Sequence, residues 1–194
     1  MSLLRLAVFW SSVRALHHHP SFATRAMNNN NIIYDCRHVF CYGSLRPDDD
    51  SGMPWTVEAI KGMTAQPATL LGAKLYRDEY ASVVLNERPG DAKASHLKPD
   101  TKDKVKGWVL TTADPALWQE KMELYDEIEE YKEDGTGQYQ RDIVDVYLGN
   151  PGSTIGGDAI GESVTFIKAY VYHRPDCNKD DPILSGDWLR RDES

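Results

Sequence analysis

Glu129 combines an ionisable side chain with an apolar setting. Trp118, Met122 and Tyr125 fall at i, i+4 and i+7, the spacing of one helix face, and Glu129 follows Tyr125 by four as the next member of that stripe. A carboxylate in an apolar slot is costly to ionise, so desolvation raises its pKa. The negative end of the helix dipole acts in the same direction. An acid tuned toward neutrality suits general acid–base work. The alternative is that the helix frays first and Glu129 points into water, in a region already acidic through Asp126, Glu127, Glu130, Glu133 and Asp134.

A second candidate is Tyr42-Gly43-Ser44-Leu45. A strand that ends in Gly-Ser exposes consecutive backbone N–H groups at a sharp turn, which suits an anion or an oxyanion. The alternative is an ordinary strand-ending turn. Ser44 is not read as a nucleophile, because the G-x-S-x-G elbow is absent. Tyr139 and Arg141 share a face of an alternating strand and either line a cavity or form a surface with one salt-bridged arginine. The sequence has no P-loop, no G-x-G-x-x-G and no zinc-ligand spacing, so neither a metal nor a nucleotide cofactor is expected.

These residues need elements to position them. His38 to Tyr42 reads as a strand stopping at Gly43, followed by a loop from Arg46 to Gly62 with the acids Asp48, Asp49 and Asp50 and a short helix from Pro54 to Ile60. Ala68 to Tyr76 and Tyr80 to Leu85 read as two strands joined by a short turn. A polar loop covers 86–103, and Lys104 to Thr111 is a further strand whose Gly107 marks a bend or a close backbone approach. Asp114 is a helix N-cap and Pro115 the first helical residue. Leu117, Leu124 and Ile128 widen the apolar face of that helix. Tyr139 to Leu148 alternates as a half-buried strand, Gly149 to Gly161 is a loop, and Val164 to His173 is the last strand. Many strands, one main helix and no βαβ alternation predict an α+β fold, a small mixed sheet or barrel.

The 194 residues, 41% of them hydrophobic, suit one domain with flanking segments, divided as a leader or linker over 1–34, a folded domain over 35–176 and a tail over 177–194. The formal net charge of -8 combines +3 from residues 1–34, which hold Arg5, Arg14 and Arg25 and no Lys, Asp or Glu, with -11 from the remainder. Such an acidic body disfavours nucleic acid as a partner. No apolar run approaches the roughly 18 residues of a membrane span. Cys36, Cys41 and Cys177, odd in number and without C-x-x-C spacing, read as free thiols in a reducing compartment. Residues 1–27 have the composition of a mitochondrial transit peptide, against the alternatives of an unstructured leader, with a cytoplasmic protein, or a start at Met27. The run His17-His18-His19 belongs to that leader, and Asn28 to Asn31 is a polar linker.

Taken in order, the pieces resemble the gamma-glutamylcyclotransferase-like family over roughly residues 38–173. His38 to Leu45 is similar to that family's first strand and its Y-G-S-L turn. Leu70 to Leu85 resembles its paired strands, and Lys106 to Val109 the strand before the helix. Asp126-Glu127-Ile128-Glu129 resembles the helix-terminal D-x-x-E, and Tyr139-x-Arg141-x-x-Val144-x-Val146 the strand after it. Ser185-Gly186-Asp187-Trp188 is similar to a C-terminal motif of several members. The chain departs from the family pattern at Glu130, where glycine is usual, at Tyr80-Ala81, where Tyr-Pro is common, and in its long acidic segment before Tyr139.

The resemblance implies a small-molecule gamma-glutamyl substrate, cyclised to 5-oxoproline with release of an amine. Glu129 would be the acid/base, the amides of Gly43, Ser44 and Leu45 would bind the substrate carboxylate or polarise its carbonyl, and Tyr42 and Tyr139 would orient it. Two other readings stay open on the same scaffold: a non-catalytic binding or regulatory module, and an amide hydrolase in which Glu129 activates water.

Overall fold

The structure, a computed structural model, describes residues 36–86, 102–149 and 165–193. The leader reading of residues 1–34 lies outside them, as do most of the two long loops expected over 86–103 and 149–161.

In chain order the elements are β1 (His38–Cys41), α1 (Pro54–Ile60), β2 (Thr64–Leu71), β3 (Ala73–Arg77), β4 (Ala81–Leu85), β5 (Lys104–Thr111), α2 (Pro115–Ile128), β6 (Gln140–Leu148), β7 (Thr165–His173) and a 3₁₀ turn (Trp188–Arg190). Five strands close into a barrel in the order β1-β5-β2-β6-β7, while β3 and β4 form a separate hairpin. All the barrel pairings are antiparallel except that of β1 with β7, which is parallel and pairs Val39 with Tyr170 and Phe40 with Val171. The expected α+β barrel with one main helix is therefore the architecture observed.

One expectation is corrected. The apolar run Ala68 to Tyr76 is not a single strand. It breaks at Gly72, whose φ of +70° is a left-handed conformation that glycine adopts without cost. The chain then leaves the barrel at Leu71 and enters the hairpin at Ala73, with Gly72 held by N–H donation to Asp103 C=O at 2.8 Å. Pro67 is tolerated within β2 because it precedes the stretch paired with β6, which begins at Ala68.

The period of two sorts the strands between two apolar clusters. Phe40, Leu70, Val109, Val146 and Val171 fill the barrel, joined by Leu75 and Val83 of the hairpin and by Ile183. Val39, Cys41, Leu110, Tyr170 and Tyr172 point the other way and pack against Trp118, Met122 and Tyr125 of α2. Gly107 of β5 makes a close approach to β1: a Cβ there would lie 2.4 Å from the carbonyl oxygen of Cys41. Cys36, Cys41 and Cys177 are free and buried. No helix among the described residues is long and apolar enough to cross a membrane.

Candidate active site

Helix α2 starts as its sequence dictates. Asp114 Oδ1 accepts from the N–H groups of Ala116 and Leu117, at 2.9 and 3.4 Å, and Pro115 takes the first helical position. Two of its buried side chains then fasten α1. Tyr125 Oη donates to Ala59 C=O at 2.7 Å and Lys121 Nζ donates to Glu58 C=O. Both carbonyls belong to the last turn of α1, where they have no helical partner, and the lysine lies at the negative end of that helix. The burial of Lys121 was not legible in the apolar stripe.

The C-terminal end of α2 sets the position of Glu129, its C-cap. Tyr131 N–H donates to Asp126 C=O at 2.9 Å and Glu130 N–H to Glu127 C=O at 3.2 Å. This is a Schellman closure with Glu130 at the left-handed position, φ 49°. The helix thus runs to Glu129 without fraying. Asp126, one turn back, is fully engaged. Arg141 Nη1 donates to its two carboxylate oxygens at 2.5 and 2.6 Å, and Tyr172 Oη donates to Oδ1 at 2.6 Å. The guanidinium lies over the ring of Tyr131, 4.3 Å from its centroid. Arg141 is thereby the salt-bridged arginine of the two readings, while Tyr139, just before β6, is buried.

Glu129 differs from Asp126. As a residue it is half-buried, and desolvation raises its pKa to about 8. The carboxylate forms no hydrogen bond or ion pair with any described residue. Cys41, Tyr42 and Tyr139 are each within electrostatic reach of it, and their own pKa values are pushed up first by burial and then also by the charge of Glu129. The two phenols are tied by their hydroxyls, Tyr42 Oη donating to Tyr172 C=O at 2.7 Å and Tyr139 Oη to Ala81 C=O at 2.9 Å. They are neutral at neutral pH, so they can orient a ligand but cannot serve as phenolate bases, which leaves Glu129 as the carboxylate of this cluster.

The turn after Tyr42 is the tight strand-ending turn that both readings of its sequence require. Arg46 N–H donates to Gly43 C=O at 3.1 Å, closing a four-residue turn. The N–H groups of Gly43, Ser44 and Leu45 donate to no other described residue. Ser44 Oγ accepts from the indole N–H of Trp55 at 3.0 Å, and Ser44 C=O accepts from Thr56 Oγ1. The structure thus brings Glu129, Tyr42 and Tyr139 together, with the Gly43–Leu45 amides following directly in the chain. An open cleft of about 270 Å³ beside β3, lined by Lys74, Tyr76, Asp103 and Lys104 among others, holds none of these residues. The unpaired carboxyl of Glu129 therefore lies outside that cleft. Trp55, which fixes Ser44, had no sequence signal, because a lone aromatic in a short helix looks like core.

A family model described as gamma-glutamyl cyclotransferase, AIG2-like matches residues 39–190. No curated protein matches the chain. Among solved structures, an uncharacterized protein from Pyrococcus horikoshii is similar at 19% identity and TM-score 0.45, over 81% of this chain and 96% of that one. An aig2-like protein from Mus musculus is similar at 15% identity and TM-score 0.44, over 74% and 80%. A gamma-glutamyl cyclotransferase specific to glutathione from yeast is similar at 15% and 0.43, over 73% and 70%.

Proposed function

Since the chain belongs to the gamma-glutamyl cyclotransferase, AIG2-like family, we propose that it cyclises a small gamma-glutamyl compound to 5-oxoproline, with Glu129 as the acid/base. The observation that carries this reading is the carboxyl of Glu129, half-buried, unpaired among the described residues and with its pKa raised to about 8 by desolvation. The substrate's alpha-amine, with a pKa of about 8, arrives largely protonated. Glu129 removes a proton, and the freed amine attacks the gamma-carbonyl of the same molecule. A C–N bond forms in the five-membered ring, leaving negative charge on the carbonyl oxygen and positive charge on the ring nitrogen. Glu129 returns its proton to the departing nitrogen, the amide C–N bond breaks as the carbonyl re-forms, and the ring nitrogen's second proton passes by way of Glu129 to the released amine. The amides of Gly43, Ser44 and Leu45 suit the developing oxyanion or the substrate carboxylate. Tyr42 and Tyr139 hold the glutamyl part.

Gamma-glutamylamines rank ahead of gamma-glutamyl amino acids as substrates. Asp48 is committed to Arg46, but Asp50 and Glu133 stay exposed on the loops after the turn and before β6 and would favour a cationic leaving amine.

The test is a panel of both substrate classes plus glutathione, scored for 5-oxoproline, with a matched N-acetylated substrate that lacks the nucleophile. The parent should react and the acetylated analogue should not. Equal consumption of both, with free glutamate as product, would assign hydrolysis instead. No turnover of any panel member would favour the binding module.

A further inference from the structure

Arg46 directly follows the Gly43–Leu45 turn, and it is only 5% exposed. Its Nε and Nη2 donate to the two oxygens of Asp48 at 2.8 and 2.7 Å, and Nη1 donates to Asp187 Oδ1 at 2.7 Å. Asp48 also accepts a hydrogen bond from the Trp108 side chain of β5. Lys106 Nζ, also on β5, lies 3.8 Å from Asp187 Oδ2. Two cations therefore face two carboxylates, and the cluster is neutral. Burying a guanidinium is favourable only when its donors are matched in this way, and the planar fork fixes direction as well as distance.

The same residue's backbone N–H closes the turn onto Gly43 C=O, so a displacement of the guanidinium would be transmitted to the turn. Asp187 is an independent anchor. Its segment is held by Lys106 N–H donating to Gly186 C=O at 2.7 Å, and by Ile183 N–H donating to Leu75 C=O at 2.8 Å. Ile183 is buried with the barrel residues. Gly186 leaves no room for a side chain, since a Cβ there would lie 2.0 Å from Lys104 C=O.

We infer that Arg46 is a positioning residue through which the C-terminal segment Ser185–Trp188 holds the Gly43–Leu45 turn in its ligand-binding geometry. The inference rests on the reading that this turn holds the substrate. The rival is a purely structural ion pair, which would stabilise the C-terminal segment and leave the turn indifferent to its loss.

The experiment uses the full chain with Asp187→Asn, Arg46→Lys and, as a control, Asp192→Asn, which removes an ion pair to Arg77 made just beyond that segment. Three measurements are made: hydrogen exchange at the residue 46 amide, the NMR position of the Trp55 indole N–H that reports on Ser44, and the kinetics (KM and kcat) of 5-oxoproline formation. Asp187→Asn and Arg46→Lys should speed exchange at residue 46 by about tenfold while β5 amides keep their protection. They should also shift the indole resonance and raise KM several-fold. Asp192→Asn should change none of these. Unchanged exchange and indole position in Asp187→Asn would overturn the inference, whatever the activity. If the wild-type chain forms no 5-oxoproline, the reaction assignment fails while the two NMR quantities still decide on the clamp. Should Arg46→Lys not fold, Asp187→Asn carries all three measurements.

Discussion

A proton on Glu129 links its proposed acid/base role to stability. Its carboxyl titrates near 4.5 in an unperturbed chain and near 8 in the folded one. Between these values the folded state holds a proton that the unfolded state has released, so stability falls as pH rises through that window and levels off above it. Glu129→Gln removes the ionisable group while keeping its shape. The variant should match the wild type in stability near pH 4 and exceed it at pH 8.5 by about 1 kcal/mol or more, read as a melting temperature higher by roughly 2–4 °C per kcal/mol. The same variant should lose about 10²–10⁴-fold in activity. Wild-type activity should climb toward pH 8 as the base loses its proton. Equal melting temperatures at both pH values would show that the carboxyl is not desolvated. The place of Glu129 at the end of α2 was legible because it extends a local periodicity. Arg46 was not, because its partner Asp187 lies 141 positions away and pairing at that range leaves no local pattern.

Elements are ended by single residues, and two such ends differ in how well the sequence disclosed them. The start of α2 was plain in Asp114-Pro115, since capping chemistry is local. The break at Gly72 was not, because the apolar residues on either side read as one buried run, and burial alone does not say which sheet a strand joins. At the other end of α2, Glu130 occupies a left-handed position usually given to glycine. A side chain costs roughly 1–2 kcal/mol in that conformation, partly offset by glycine's greater freedom when unfolded. Glu130→Gly should therefore raise stability by up to about 1 kcal/mol, with 5-oxoproline formation retained, in chemical denaturation and activity measurements made side by side. Loss of activity in that variant, or in Glu130→Gln, would shift the acid/base assignment away from Glu129.

For the whole molecule, the composition and the order of elements indicated a small barrel, but nothing local specified how it closes. Closure is made by β1 against β7, the first and last barrel strands, lying parallel, and Tyr42 on the turn after β1 reaches Tyr172 across 130 positions. On the ribosome this has a temporal meaning. The apolar β1 emerges early and cannot complete its pairing until β7 has followed, an interval of the order of ten seconds at ordinary elongation rates. The nascent chain must spend that time with an unsatisfied strand edge, the state most open to chaperone capture or to pairing with a neighbouring chain. Ribosome-arrested chains in which β7 has not yet left the exit tunnel should be cut readily within β1 and α2 by a brief protease pulse. Chains arrested after β7 and residues 177–193 have emerged should resist. Protection of β1 before β7 appears would mean that an earlier partner shelters it and that closure is not the committing step.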